Sequence, residues 1–274
     1  MKHAVYHPLE EEEILANAKE AVLAAAERDE SLGSRYAKIC WMGMGEDAMR
    51  FSSRTVSLTH ALAEWLMEEG YAAGIDGVDL STVLPRTKEN WSEDFIQLDR
   101  ELDWYPSNPQ TLSREAGRSR FRLFLSVHSA VQETREQLIP GAQPLVVSLE
   151  QVAEFRREGG CSVILHHLLF DGLNDSDVEI AAFADALKEH ELLGTEVRLL
   201  RYNSCGRSPL VESSRFEEAA AVLSALTPVK VQTSLGSEVR AACGQFIVKD
   251  YDDTAELLMI ASASADIMND RKET

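Results

Sequence analysis

Apolar runs that favour strands alternate with stretches of helical periodicity along most of the 274-residue chain. The predicted strands cover residues 36–43, 74–82, 121–128, 161–170, 196–203 and 229–235. The predicted helices cover residues 9–27, 55–70, 148–158, 176–190, 214–226 and 253–268. Repeated strand–helix units are typical of an α/β fold, with a mostly parallel sheet or barrel and helices outside.

Two local features refine this pattern. The helix over 55–70 ends in a glycine, which is typical of a helix C-terminus. The segment 86–118 is long, polar and irregular, and we expect it to be an insertion on a loop with a short helix.

The charge of the chain is strongly acidic, with a formal net charge of −19. Nucleic-acid-binding proteins usually carry a basic footprint, since phosphate contacts supply much of their affinity. The one locally basic segment contains Arg114, Arg118, Arg120 and Arg122. The acidity therefore counts against a large RNA partner, and its other interpretation is a solubilising surface.

Neither a membrane span nor a secretory signal is predicted, so we expect a cytoplasmic protein without a membrane partner. The four cysteines are widely scattered and form no C-x-x-C pair, which indicates reduced thiols. They are Cys40, Cys161, Cys205 and Cys243. Cys40 and Cys161 lie inside predicted strands, and we expect both to be small buried side chains. The oligomeric state is left open.

Polar residues stand at the carboxyl ends of the predicted strands, where parallel α/β folds place their chemistry. After the strand over 36–43, two glycines allow a close backbone approach, and Glu46 suits a ligand with an ammonium group. Ser81 ends the next strand, and Ser126 and His128 share a face of the third. Asn203 ends the fifth. Taken singly, each is more typical of a hydrogen-bonded loop residue.

Taken together, these segments resemble a known family. The order and spacing of CWMGMGEDAM, LSTV, LSVHSAVQETREQLIP, LFDGLNDSD, LLRYN and SLGSEVRAACGQF are similar to those of the radical S-adenosylmethionine methyltransferases RlmN and Cfr. Enzymes of that family methylate an adenine of 23S ribosomal RNA. The resemblance runs from about residue 36 to residue 246, interrupted by the insertion.

The resemblance implies a role for each matching residue. The turn that holds the amino group of S-adenosylmethionine matches Gly43, Met44, Gly45 and Glu46. Contacts to the rest of that molecule match Ser81, Ser126 and Asn203, and the family's strand-end histidine matches His128. His128 is equally well interpreted as a buried, hydrogen-bonded imidazole. Cys243 matches the cysteine that carries the methyl group, and its small neighbours leave the sulfur approachable.

The chain departs from the family in two places. The family holds a [4Fe-4S] cluster with C-x-x-x-C-x-x-C, and no such motif occurs here. Three thiolates are needed, and His3 and His7 do not replace them. The cluster is therefore expected only if a preceding segment supplies the motif. Leu235 stands where the family usually has arginine, which puts in doubt an anchoring contact such as one to RNA.

Three interpretations follow from the missing motif: a truncated methyltransferase, a clusterless relative that binds S-adenosylmethionine or another protein, and an adaptor that uses the barrel as a scaffold. We expect a partial (β/α) barrel over 1–250 that lacks its first strand, followed by a C-terminal helix and tail over 251–274. The edge beside the strand over 36–43 would then be open, which favours pairing with another chain.

Overall fold

The structure is a computed structural model, and the part of the chain that it describes has several gaps. It describes residues 9–42, 54–86, 89–106, 120–159, 162–203 and 209–232. Within these ranges, no helix combines the length and the apolar character that crossing a bilayer requires. The predicted helix over 253–268 and the tail over 251–274 lie outside the described residues.

Six parallel strands form a single sheet in the order in which they occur along the chain. The strands β1 to β6 are Tyr36–Trp41, Gly74–Thr82, Phe121–Ser126, Ser162–Leu168, Glu196–Leu200 and Val229–Gln232. Sequential order with helical crossovers is the topology of (β/α) barrels. The prediction of a mostly parallel α/β sheet is confirmed.

Seven helices lie in the described part of the chain. The helices α1 to α7 are Glu11–Ala26, Val56–Glu68, Ser92–Glu101, Gln132–Leu138, Leu145–Gly159, Asp177–Glu189 and Phe216–Ser224. The helix α2 ends as predicted, because Gly70 has a φ of 74° and the amide of Tyr71 donates to the carbonyl of Leu66 over 2.7 Å. Only glycine adopts that backbone conformation without strain.

One face of the sheet is apolar and packs against the helices. Leu80, Leu123 and Leu165 of the central strands are fully buried there. Because successive side chains of a strand point to opposite faces, the residues between them lie on the other face, which we call the inner face. The inner face carries polar and charged side chains, among them Asp79, Arg122 and His166.

The insertion over 86–118 contributes to the core through α3, the short helix expected there. The rings of Phe95, Phe121 and Phe155 lie with their centroids 5.6–6.0 Å apart, which joins α3 to β3 and α5. A second contact holds the end of α3 to α2, where His60 Nε2 lies 2.9 Å from Glu101 Oε2. The described part of the insertion, residues 89–106, is therefore packed on the barrel.

The strand β1 lies at one edge of the sheet, and among the described residues it pairs only with β2. Beside it, α1 and α2 enclose an apolar groove of about 280 Å³. Ile14, Leu15 and Val22 of α1 line this groove, and none of the α1 side chains is fully buried. Among the described residues, no strand therefore pairs with the outer edge of β1.

Candidate functional site

Two of the sequence-predicted site residues share one face at the carboxyl end of the sheet. In the pairing of β2 with β3, Ser81 lies opposite Phe124. Ser126, two residues further along β3, lies opposite His166 of β4. Both serines are partly exposed on the inner face, and Asn203 follows β5 by three residues and is also partly exposed. We call this edge, with Ser81, Ser126 and Asn203, the rim.

His128 is held within the fold just beyond β3. Its φ is 58°, and its Nδ1 accepts a hydrogen bond from the backbone amide of Leu168 over 3.2 Å. Burial, followed by the positive fields of His167 and Arg135, lowers the pKa of His128 to about 3, so the ring is neutral at physiological pH. This geometry matches the hydrogen-bonded interpretation, and a contact between His128 and a ligand stays a prediction.

The segment LFDGLNDSD shapes the loop after β4. Asn174 is fully buried; its Oδ1 accepts from the amide of Phe170 over 2.7 Å, and its Nδ2 donates to the carbonyls of Leu168 and His128. Asp175 accepts from the hydroxyl of Ser213 over 2.6 Å. The segment therefore ties the ends of β3 and β4 together, which fixes the backbone on which the rim stands.

Sequence reasoning did not single out Arg135, which is 1% exposed and supports the rim from α4. Its guanidinium group donates to four backbone carbonyls, those of Val83, Ser126, Val127 and Gln143. Desolvation, followed by the nearby Arg86, lowers the pKa of Arg135 to about 10, and the group remains charged at neutral pH. Arg135 lies in the segment ETREQL, which belongs to the sequence that resembles the family. That position was the signal by which the sequence could have identified it.

Below the rim, the inner face carries a layer of charged side chains around one aromatic ring. Arg122 makes a bidentate ion pair with Asp79, and Arg198 Nε donates to Glu196 Oε1 over 2.6 Å. Both guanidinium groups lie over the ring of Phe124, at 5.4 Å and 5.3 Å from its centroid. We call this set, which also contains His166 and Lys230, the charged layer.

The exposure of Cys40 contradicts one expectation from the sequence. We expected a buried side chain, but the cysteine is exposed on β1, with its Sγ 4.0 Å from Asp79 Oδ2. The expectation was wrong because β1 is an edge strand and its alternation turns Cys40 to the inner face while Ile39 is buried. Desolvation, followed by the Asp79 carboxylate, raises the pKa of the Cys40 thiol.

The remaining predicted residues lie outside the described part of the chain. They are Gly43, Met44, Gly45, Glu46, Cys161, Cys205, Leu235 and Cys243. Within the described residues, no group of three or more cysteine, histidine or acidic side chains is placed to hold a metal ion. Cys40 is the single cysteine among the described residues, so these residues do not fit an iron–sulfur cluster.

Comparison with known proteins gives two kinds of similarity. The chain is 25% identical, over 80% of its length, to a probable RNA methyltransferase of Rhodopseudomonas palustris. It is 26% identical, over 78% of its length, to a probable dual-specificity RNA methyltransferase RlmN of Flavobacterium johnsoniae. The resemblance to the RlmN-type methyltransferases is confirmed. The chain spans about half the length of these curated relatives, 54% in each case, and no protein-family model matches it.

Among solved structures, the chain is similar to a radical SAM methyltransferase from Sphaerobacter thermophilus. The TM-score is 0.64, with 23% sequence identity, over 86% of this chain and 61% of that one. The two proteins therefore share a fold, in agreement with the partial barrel expected from the RlmN-like segments.

Proposed function

We propose that this chain binds S-adenosylmethionine and takes part in methyl transfer to RNA, as an RlmN-type methyltransferase. The observation that carries the proposal is the rim, where Ser81 and Ser126 share the inner face at the carboxyl ends of neighbouring parallel strands. Ligands of parallel α/β folds bind at this edge. The similarity to proteins named RNA methyltransferases supports the choice of ligand and of reaction.

The chemistry of the rim suits the ligand. Serine hydroxyls and an asparagine amide both donate and accept, as the ribose and adenine of S-adenosylmethionine require. Glu46, in the segment 43–46 that follows β1 along the chain, would pair with the ligand's ammonium group through a charge-assisted hydrogen bond. His128 follows the rim residue Ser126 by two positions, and its Nδ1 accepts from the amide of Leu168, which leaves Nε2 as the nitrogen able to meet a ligand.

Cys243 is the residue to which we assign the methyl-carrying role. When bound, S-adenosylmethionine supplies an electrophilic methyl group. The Cys243 thiolate would attack the methyl carbon, forming a carbon–sulfur bond as the bond from that carbon to the sulfonium breaks and S-adenosylhomocysteine leaves. RNA would be the final acceptor, and a [4Fe-4S] cluster would need cysteines other than those the structure describes.

Calorimetry with S-adenosylmethionine tests the binding half of the proposal. We expect wild type to bind and Glu46→Ala to weaken binding at least about tenfold, since a charge-assisted hydrogen bond contributes roughly 1.5–3 kcal/mol. Glu150→Ala is the matched control, because Glu150 is exposed on α5 and away from the rim. No binding to wild type, or equal binding to all three proteins, would contradict the proposal.

Mass spectrometry of the peptide that contains Cys243 tests the chemical half. After incubation with S-adenosylmethionine, we expect a methyl increment on this peptide in wild type and in Cys40→Ala, but not in Cys243→Ala. Binding without any methyl increment would favour the alternative in which the chain is a binding module. Methylation of Cys40 instead would show that the exposed inner-face thiol is the carrier.

A further inference from the structure

The charged layer contains more positively charged side chains than carboxylates. Arg122, Arg198 and Lys230 face Asp79 and Glu196, and Glu196 is shared between Arg198 and Lys230. This local excess of positive charge is unusual in a chain whose formal net charge is −19.

Several hydrogen-bond donors of the layer are left over. Arg122 uses Nε and Nη2 on Asp79, and Arg198 uses Nε on Glu196. Within the described residues, Nη1 of Arg122 and both Nη atoms of Arg198 have no hydrogen-bond partner. The Nε2 atom of His166 is buried and also has none. A buried polar atom without a partner costs stability unless water or a ligand completes it.

The three groups that carry these donors lie around one aromatic ring. Both guanidinium groups lie within 5.4 Å of the centroid of the Phe124 ring, and the His166 ring lies 4.9 Å from the same centroid. Phe124 is 2% exposed, so the surrounding side chains cover its ring. The carboxylates of Asp79 and Glu196 hold the two guanidinium groups in position, which reduces the entropy lost on binding a ligand.

We propose that Arg122, Arg198 and His166 form a binding site for one oxyanion, a carboxylate or a phosphate, over Phe124 on the inner face. Guanidinium groups match the oxygens of both anions, and the partial burial of Arg122 and Arg198 strengthens the attraction. His166 adds a donor in its Nε2–H tautomer. The site is separate from the rim and does not depend on the proposed methyl transfer, although Ser126 is paired in register with His166 and the two sites adjoin.

Titration with inorganic phosphate and with acetate tests the site, since neither probe carries the adenine, the ribose or the ammonium group that the rim and Glu46 are proposed to bind. In low-salt buffer, we expect both the heat of binding and a shift of the His166 ring resonances in NMR spectra. Arg198→Gln should weaken binding at least about tenfold, the usual effect of losing a charge-assisted partner. Arg157→Gln makes the same charge change on an exposed position of α5 and should bind as wild type.

Further probes identify the natural source of the oxyanion. Tighter binding of AMP than of methionine, lost in Arg198→Gln, assigns the site to the phosphate of a nucleotide or of RNA. The reverse order assigns it to the carboxylate of an amino-acid ligand. Equal binding of phosphate by wild type and Arg198→Gln, or no binding of any probe to wild type at millimolar concentration, overturns the proposal. Should Arg198→Gln fail to fold, His166→Gln with the same probes replaces it.

Discussion

Asn174 is one residue on which two loops depend. Its side chain donates to backbone carbonyls after β3 and at the end of β4, and it accepts from the amide of Phe170. Asn174→Ala leaves these buried groups unpaired, so we expect a loss of about 1–3 kcal/mol in the free energy of unfolding. Urea denaturation measures it. Asn17→Ala, on the exposed face of α1, should change the same quantity by less than about 0.5 kcal/mol.

His167 links the stability of the fold to pH. It is 3% exposed beneath α6, stacked on Phe183, and burial lowers its pKa to about 4 from 6.5. The unfolded chain therefore binds a proton on this residue before the folded chain does. The stability that neutral His167 contributes is complete above pH 6.5 and is lost as the pH falls towards 4.

His167→Gln isolates this effect. Between pH 6.5 and 4, the free energy of unfolding of wild type should fall more steeply than that of the variant, by up to about 1.4 kcal/mol per pH unit. Chemical denaturation across this range measures the two slopes. Above pH 6.5 the difference between the proteins should be constant, and parallel slopes at all pH values would mean that His167 is protonated equally in both states.

At the scale of elements, the short helix α4 holds the ends of two strands through Arg135. Arg135→Lys keeps the charge but loses the planar fork that reaches four carbonyls, and we expect a loss of roughly 2–4 kcal/mol of stability. Thermal and urea denaturation measure it. Arg157→Lys on α5 is the control and should be neutral, because the ion pair of Arg157 with Glu191, at 3.7 Å, is exposed.

The pattern of apolar residues predicted most elements, but it misplaced some of their ends and missed α4. Apolar alternation locates all six strands, because strands buried on one face must carry it. The same alternation predicts a β3 that is too long, ending at residue 128. His128 continues the alternation, but its positive φ is incompatible with a strand, and β3 ends before it. The helix α4 escaped prediction because QETREQL offers a single apolar residue and is held by buried Arg135 rather than by an apolar stripe.

At the scale of the whole molecule, the rim was predictable and the charged layer was not. Parallel strands necessarily bring their carboxyl ends to one edge, so residues such as Ser81 and Ser126 could be grouped from the sequence alone. The layer depends on Arg198 reaching across β4 to the ring of Phe124 on β3, which follows from three-dimensional packing. The alternation of Arg122, Phe124 and Ser126 along β3 was its only trace in the sequence.

The open side of β1 has a consequence for how fast backbone amides exchange with solvent. In a parallel sheet, alternate residues of an edge strand direct their amides away from the neighbouring strand. On deuterium exchange, we expect every second amide of β1 to exchange early, whereas β3, paired on both sides, exchanges only through larger openings of the fold. Mass spectrometry resolves the two peptides. Slow exchange throughout β1 would reveal that another segment or chain covers the groove between α1 and α2 in solution.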